Sequence, residues 1–276
     1  MKNIKILISL VAGLALLQFG LGDTFAKKKT DTLTIAGSTT VLPISQLCSE
    51  KFMNANPEIN ISVRGGGSGV GIAAIIDGTI DIADSSRPIK NKELLLAKQK
   101  GRSLKEIAVA RDGLAIIVNP SNPVKNLTPE QIRDIYTGKI DNWKTVGGPN
   151  LAIVVVSRDT SSGTYESFGT LVLKGAKLKE GAIMTASSKA VATTVEETPG
   201  AIGYIGVGFI SDELKVLSVN GLTASKESVR NGTYKFNRFL YMYVNGEPKG
   251  NVKKFIDFVL SEAGQKLVEE AGYVSK

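Results

Sequence analysis

Hydrophobic and polar positions along the chain alternate between two rhythms. Residues 33–36 form a short apolar run, the mark of a buried strand, whereas 44–54 place Ile44, Leu47, Cys48 and Phe52 at helical spacing and stop before Pro57. The same alternation predicts a strand over 59–63, a helix over 70–76 and a strand over 80–83. Repeated strand–helix units of this kind predict an α/β architecture with mostly parallel sheets and right-handed crossovers. The run Gly113-Leu114-Ala115-Ile116-Ile117-Val118 is long enough to carry the chain into a second unit. There Thr128-Pro129-Glu130-Gln131 marks a helix start, with Thr128 as N-cap and Pro129 at the first helical position. Residues 151–156 and 239–244 read as strands, and 252–271 as an amphipathic helix interrupted near Ser261-Glu262. Two crossings predict two lobes joined by a hinge, with lobe 1 made of 27–113 and 245–276 and lobe 2 of 114–244.

Where apolar runs give way to helical patterns, the chain carries small hydroxyl residues and glycines. The segments are Gly37-Ser38-Thr39-Thr40, Gly65-Gly66-Gly67-Ser68-Gly69, Asp84-Ser85-Ser86-Arg87-Pro88 and Arg158-Asp159-Thr160-Ser161-Ser162-Gly163-Thr164. The first turn of a helix leaves N–H groups unpaired and carries partial positive charge, so each segment makes a socket for an anion. In open α/β sheets ligands bind beyond the carboxyl ends of the strands, where these segments fall. Together they point to one shared oxyanion. Taken singly, Ser38, Thr39 and Thr40 could cap the following helix, and 65–71 could be a turn. Arg87 could contact a ligand or bridge to a carboxylate such as Asp84, while the Lys and Glu residues of 91–105 read as a solvated face.

Residues 1–26 change the picture of where the chain works. Lys2 and Lys5 precede an apolar run over 6–21 and a small-x-small ending at Ala26, which reads as a secretory signal cleaved after Ala26. The mature chain is then expected to be soluble outside the cytoplasm. The single Cys48 has no internal disulfide partner and lies too far downstream to be a lipoprotein anchor, so it reads as a buried thiol. The 276 residues, 42% hydrophobic and 22% charged, are ordinary globular material. A formal charge of +8, of which the leader supplies +1, favours anionic ligands; mixed signs, the absence of a dense Arg run and 6% aromatics argue against nucleic acid.

Catalytic chemistry lacks its parts. The chain has no histidine to serve as a base, no Ser-x-x-Lys beside Ser68 or Ser162, and no carboxylate/His cluster for a metal. The glycine-rich run at 65–71 is not followed by Gly-Lys-Ser/Thr and misses the dinucleotide spacing. No cofactor, metal or catalytic residue is therefore expected, only binding through hydrogen bonds and arginine.

In order along the mature chain, Gly37-Ser38-Thr39-Thr40-Val41-Leu42-Pro43, residues 65–71, Ile82-Ala83-Asp84-Ser85-Ser86-Arg87-Pro88, residues 158–164 and Pro199-Gly200-Ala201-Ile202-Gly203-Tyr204 resemble the periplasmic phosphate-binding proteins of bacterial phosphate ABC importers. The resemblance implies a two-lobed periplasmic-binding-protein fold, with inorganic phosphate held in the cleft and delivered to a membrane-embedded ABC permease by a periplasmic monomer. It implies donors from Thr39 and Thr40, with Ser38 assisting, from Ser68 in the glycine-rich turn, and from Ser162, Gly163 and Thr164 at a helix start, with Arg158 pairing to phosphate. Ser86, beside Arg87, stands where some members carry a carboxylate that accepts the ligand's proton; Asp112 is then the favoured acceptor and Asp84 the other candidate. Such an acceptor separates phosphate from sulfate, which has no proton to give. Other tetrahedral oxyanions, such as sulfate, molybdate or arsenate, and a surface scavenging role are the alternatives.

Overall fold

The computed structural model describes residues 31–276, so the leader expected over 1–26 lies outside the described residues. The chain opens with β1 (Asp31–Gly37), α1 (Leu42–Ala55), β2 (Ile59–Gly65), α2 (Ser68–Asp77), β3 (Ile82–Ser85), α3 (Asn91–Gln99) and the 15-residue strand β4 (Leu104–Val118). A second group follows: β5 (Asn126–Leu127), α4 (Pro129–Thr137), β6 (Val154–Arg158), α5 (Gly163–Leu171), β7 (Ile183–Thr185), α6 (Ser188–Glu197), β8 (Ala201–Gly206), β9 (Lys215–Val219), β10 (Leu222–Thr223) and α7 (Lys226–Arg230). The chain returns through β11 (Asn237–Asn245) and ends in α8 (Gly250–Leu260) and α9 (Glu262–Glu270).

The strands run in the order β2-β1-β3-β11-β4-β8-β6-β7. β2, β1 and β3 are mutually parallel, as are β8, β6 and β7, which is the βαβ pattern read from the sequence. Between them the pairing is antiparallel, because β4 and β11 carry the chain out and back in opposite directions. β4 changes partners midway: its residues up to Gly113 pair with β11, and from Leu114 onward it pairs with β8 and β9. β11, which the sequence suggested as the last piece of lobe 2, has first-group strands on both sides.

Local chemistry sets most boundaries. Thr128 caps α4 through Gln131 N–H, with Pro129 in the first turn, as its motif predicted. Ser261 ends α8 and its hydroxyl caps α9 by accepting from Gly264 N–H at 3.2 Å, which explains the interrupted tail helix. Ile44, Cys48 and Phe52 form the buried face of α1, where Phe52 meets Phe255 edge-on at 5.5 Å. Parallel pairing with Thr185 extends β6 to Arg158, so this arginine ends a strand instead of opening a loop. Behind α5, Phe168 stacks on Tyr204 with centroids 3.9 Å apart, fixing that helix to its sheet.

Candidate anion-binding site

The first and second groups of elements meet along a seam at the carboxyl ends of β1, β2, β3 and β6. Ser38 Oγ accepts from the N–H groups of Thr40 and Val41 at 3.2 and 3.4 Å, fixing the turn into α1. Thr40 Oγ1 then faces the second group, 2.9 Å from Thr164 Oγ1 and 3.3 Å from Ser188 Oγ. Thr39 Oγ1 accepts from Ser188 N–H at 3.3 Å. On the other side, Ser68 Oγ accepts from Ser86 N–H at 3.0 Å, and Ser86 Oγ lies 3.5 Å from Thr164 Oγ1. All these side chains are buried.

The close approach depends on glycine at two positions. A Cβ at Gly163 would lie 2.3 Å from Ser68 Oγ and 2.8 Å from Ser86 Oγ, so only glycine lets the start of α5 reach the hydroxyls of the first group. Gly67, with φ of 98°, leads into α2 and would place a Cβ 2.5 Å from Ser161 Oγ. Ser161 in turn accepts from Gly69 N–H at 2.9 Å through its carbonyl and donates to the Gly66 carbonyl at 3.2 Å. Ser162 caps α5 by accepting from Thr164 and Tyr165 N–H at 3.1 and 3.3 Å. The starts of α2 and α5, each the positive end of a helix, therefore converge with the hydroxyls.

Arg158 is 1% exposed and held by neutral acceptors. Its Nε donates to the Thr185 carbonyl at 3.2 Å, Nη2 to the Ala186 carbonyl at 3.1 Å and Nη1 to Ser188 Oγ at 3.3 Å, while the one carboxylate it meets, Asp159, stands at 3.4 Å. Burial lowers its pKa, with Asp159 opposing. A guanidinium so placed keeps charge for an anion.

Asp112, expected as acceptor of a ligand proton, is already engaged. Its Oδ2 accepts from Arg238 Nε and Nη2 at 2.9 and 2.8 Å, and its Oδ1 accepts from Val207 N–H at 3.0 Å. Burial pushes its pKa up, against the pull of Arg238 and the backbone N–H groups. Asp84, the other candidate, takes one hydrogen bond, from Ser45 Oγ of α1 at 2.6 Å, and burial raises its pKa to about 7. Arg87 turns to carboxylates: Glu93 receives its two Nη groups at 2.8 and 2.7 Å, and Glu166 of α5 lies 3.0 Å from its Nε. The bridging reading of Arg87 therefore describes it, with Glu93 and Glu166 as partners in place of Asp84.

Two residues at the site escaped the sequence reading. Ser188 opens α6 just after its N-cap Ser187, a fifth hydroxyl-bearing strand-to-helix junction, so the pattern that revealed the others also contains it. Arg238 sits inside β11, donates to Thr164 Oγ1 at 3.0 Å, and belongs to no turn motif. Among the described residues no cluster of His, Cys, Asp and Glu is arranged to hold a metal ion, and no helix is long and apolar enough to cross a membrane.

An α/β chain that crosses twice between two groups of strands and gathers hydroxyls, helix starts and arginines in the seam has the architecture of a solute-binding protein. A PBP superfamily domain matches residues 24–263. The chain is 34% identical over 287 residues to the phosphate-binding protein PstS of Bacillus subtilis (strain 168), spanning 99% of this chain and 94% of the relative. It is 36% identical to PstS of Staphylococcus epidermidis, over 87% of this chain and 77% of that one. A Clostridium perfringens structure described as a phosphate ABC transporter substrate-binding protein with bound phosphate superimposes with a TM-score of 0.83 at 38% identity, over 89% of this chain and 100% of its own. An ABC-type phosphate transport receptor from Vibrio cholerae gives 0.73 at 34% identity, over 88% of this chain and 100% of its own. The chain belongs to the phosphate-binding substrate-binding proteins of bacterial ABC importers, within the PBP superfamily.

Proposed function

We propose that this protein captures inorganic phosphate in the seam between its two groups of elements and delivers it to a membrane-embedded ABC permease. The observation that carries the reading is Arg158: a buried guanidinium, held by two carbonyls, a hydroxyl and Asp159 at 3.4 Å, joined through Ser188 to the hydroxyls of Thr39, Thr40, Thr164, Ser86 and Ser68. Ser162 and Gly163 supply the start of α5, and Ser188 ties Arg158 to Thr40. Buried hydroxyl, helix-start and guanidinium donors gathered in one seam suit a tetrahedral oxyanion. Binding, release and no covalent step complete the function.

The lobes are 27–113 with 237–276, and 114–236. The pairing of Asn237–Asn245 with β3 and the first half of β4 supports a return crossing at Phe236–Asn237 over one at 244–245. The leader is cleaved after Ala26, and the mature chain works outside the cytoplasmic membrane as a monomer. The decisive experiment is calorimetric titration of the mature chain, stripped of ligand by partial unfolding and refolding, with phosphate and then sulfate at neutral pH. Tight phosphate binding with compaction in solution scattering is expected. Binding of sulfate alone, or of neither anion, overturns the assignment.

A further inference from the structure

We infer that Arg238 is a second anion-binding arginine, donating to the bound anion alongside Arg158, with Asp112 as its counter-ion. The inference rests on the phosphate reading above. Arg238 lies in β11 of the first group and reaches Thr164 of the second, so its guanidinium spans the same seam as the hydroxyls. Of its donors, Nε and Nη2 are directed at Asp112 Oδ2, and Nη2 also reaches Thr164 Oγ1. Nη1 is buried and has no partner, on a side chain that is 5% exposed.

A buried N–H without an acceptor is costly, so it marks a place where an acceptor belongs. Nη1 and Nη2 share the terminal edge of the planar guanidinium, and that edge faces Thr164 Oγ1. An anion oxygen beside the Thr164 hydroxyl falls within reach of Nη1. Asp112 fixes the plane from behind: Val207 N–H holds its Oδ1, and Gly206 stands so close that a Cβ there would lie 2.9 Å from each carboxylate oxygen. The two arginines also feel one another, since the Arg238 charge acts to lower the Arg158 pKa. An anion between them relieves that repulsion, because Asp112 engages Arg238 at 2.8 Å while the one-third-exposed Asp159 stands off from Arg158 at 3.4 Å.

The test is phosphate titration of wild type, Thr164→Val, the neutral pair Asp112→Asn/Arg238→Gln, and the triple combination, each with its melting temperature recorded. The neutral pair avoids leaving a lone charge buried. Loss of one charge-assisted donor predicts phosphate affinity weaker by on the order of 10- to 100-fold, with or without Thr164. A loss below about threefold, or one that vanishes in the Thr164→Val background, overturns the inference, since Arg238 would then act only by holding Thr164. If the neutral pair does not fold, Arg238→Lys, which keeps a cation beside Asp112, is read instead; weakened binding supports the inference and wild-type affinity overturns it. Wild type that binds no phosphate defeats the functional reading itself, a result distinct from wild type that binds while the variants match it.

Discussion

Arg87 and Arg158 are both buried arginines at the same seam, 4% and 1% exposed, yet their charges go to opposite uses. Burial acts to lower the pKa of each. At Arg87 the Glu93 hydrogen bonds and the Glu166 charge outweigh it and the pKa is raised; at Arg158 burial prevails. Arg87 meets two carboxylates and becomes part of the frame, with Lys90 adding a second cation to Glu166 at 2.6 Å. Arg158 meets carbonyls, a hydroxyl and, at 3.4 Å, only the one-third-exposed carboxylate of Asp159, which leaves most of its charge uncompensated. What separates Arg158 from Arg87 is therefore the charge its neighbours leave over, and burial alone does not distinguish the two.

The comparison breaks most readily at Arg158. Arg158→Met is expected to weaken phosphate binding by on the order of 100-fold or more, because the anion then loses one of its two cationic donors and keeps Arg238 alone. Arg87→Met should cost less than about tenfold and appear chiefly as a lower melting temperature, since Glu93 loses its partner and Glu166 keeps only Lys90. Calorimetric titration and thermal unfolding of both variants test this; equal losses of affinity would erase the distinction.

Asp84 extends the comparison to a buried carboxylate with no cation. Its folded pKa of about 7 lies above the unfolded value of 3.8, so the native state keeps a proton that the unfolded chain releases between roughly pH 4 and 7. Asp84's contribution to stability is thus full below that window and falls as pH rises through it. Asp84→Asn should gain a few kcal/mol over wild type at pH 8 relative to pH 4. Melting curves at the two pH values that shift in parallel for both proteins would refute it.

Asp112→Asn sharpens the inner pair, because two roles give opposite signs. As counter-ion to Arg238, its removal leaves more positive charge near the ligand, so phosphate and sulfate both bind several-fold tighter. Were Asp112 the acceptor of the ligand's proton, phosphate binding would weaken and sulfate would gain. The smallest effect is expected at the rim, where Glu166→Gln removes the ion pairs with Arg87 and Lys90 across the seam. Stopped-flow dissociation of phosphate should speed up about threefold with association little changed; an unaltered off-rate would remove the rim from the closing contacts.

The junction residues were legible because Gly, Ser and Thr between an apolar run and a helical pattern leave few other uses for a strand-to-helix turn. Thr40, Ser68 and Thr164 were found that way, and they lie where the pattern put them. The fate of Arg87 could not be read, since Glu93 follows six residues later but Glu166 arrives from 79 residues away. Arg238 stayed hidden because a charged residue opening an apolar strand reads as an exposed edge, and only the pairing of β11 between β3 and β4 buries it. The antiparallel centre was invisible for the same reason: strand neighbours are set by long-range pairing, which periodicity does not encode.

The two crossings are bonded to each other where they pass between the groups. Leu114 N–H donates to the Phe236 carbonyl at 2.7 Å, and the Tyr234 hydroxyl donates to the Leu114 carbonyl at 2.8 Å. A bonded two-strand ribbon has no slack to swing on, so separating the halves means twisting it. The molecule is in this sense a torsion spring, and the register slip opposite Leu240 and Tyr241, where Val109 makes β4 bulge against β11, is a place where its stiffness can be tuned without touching a single ligand donor.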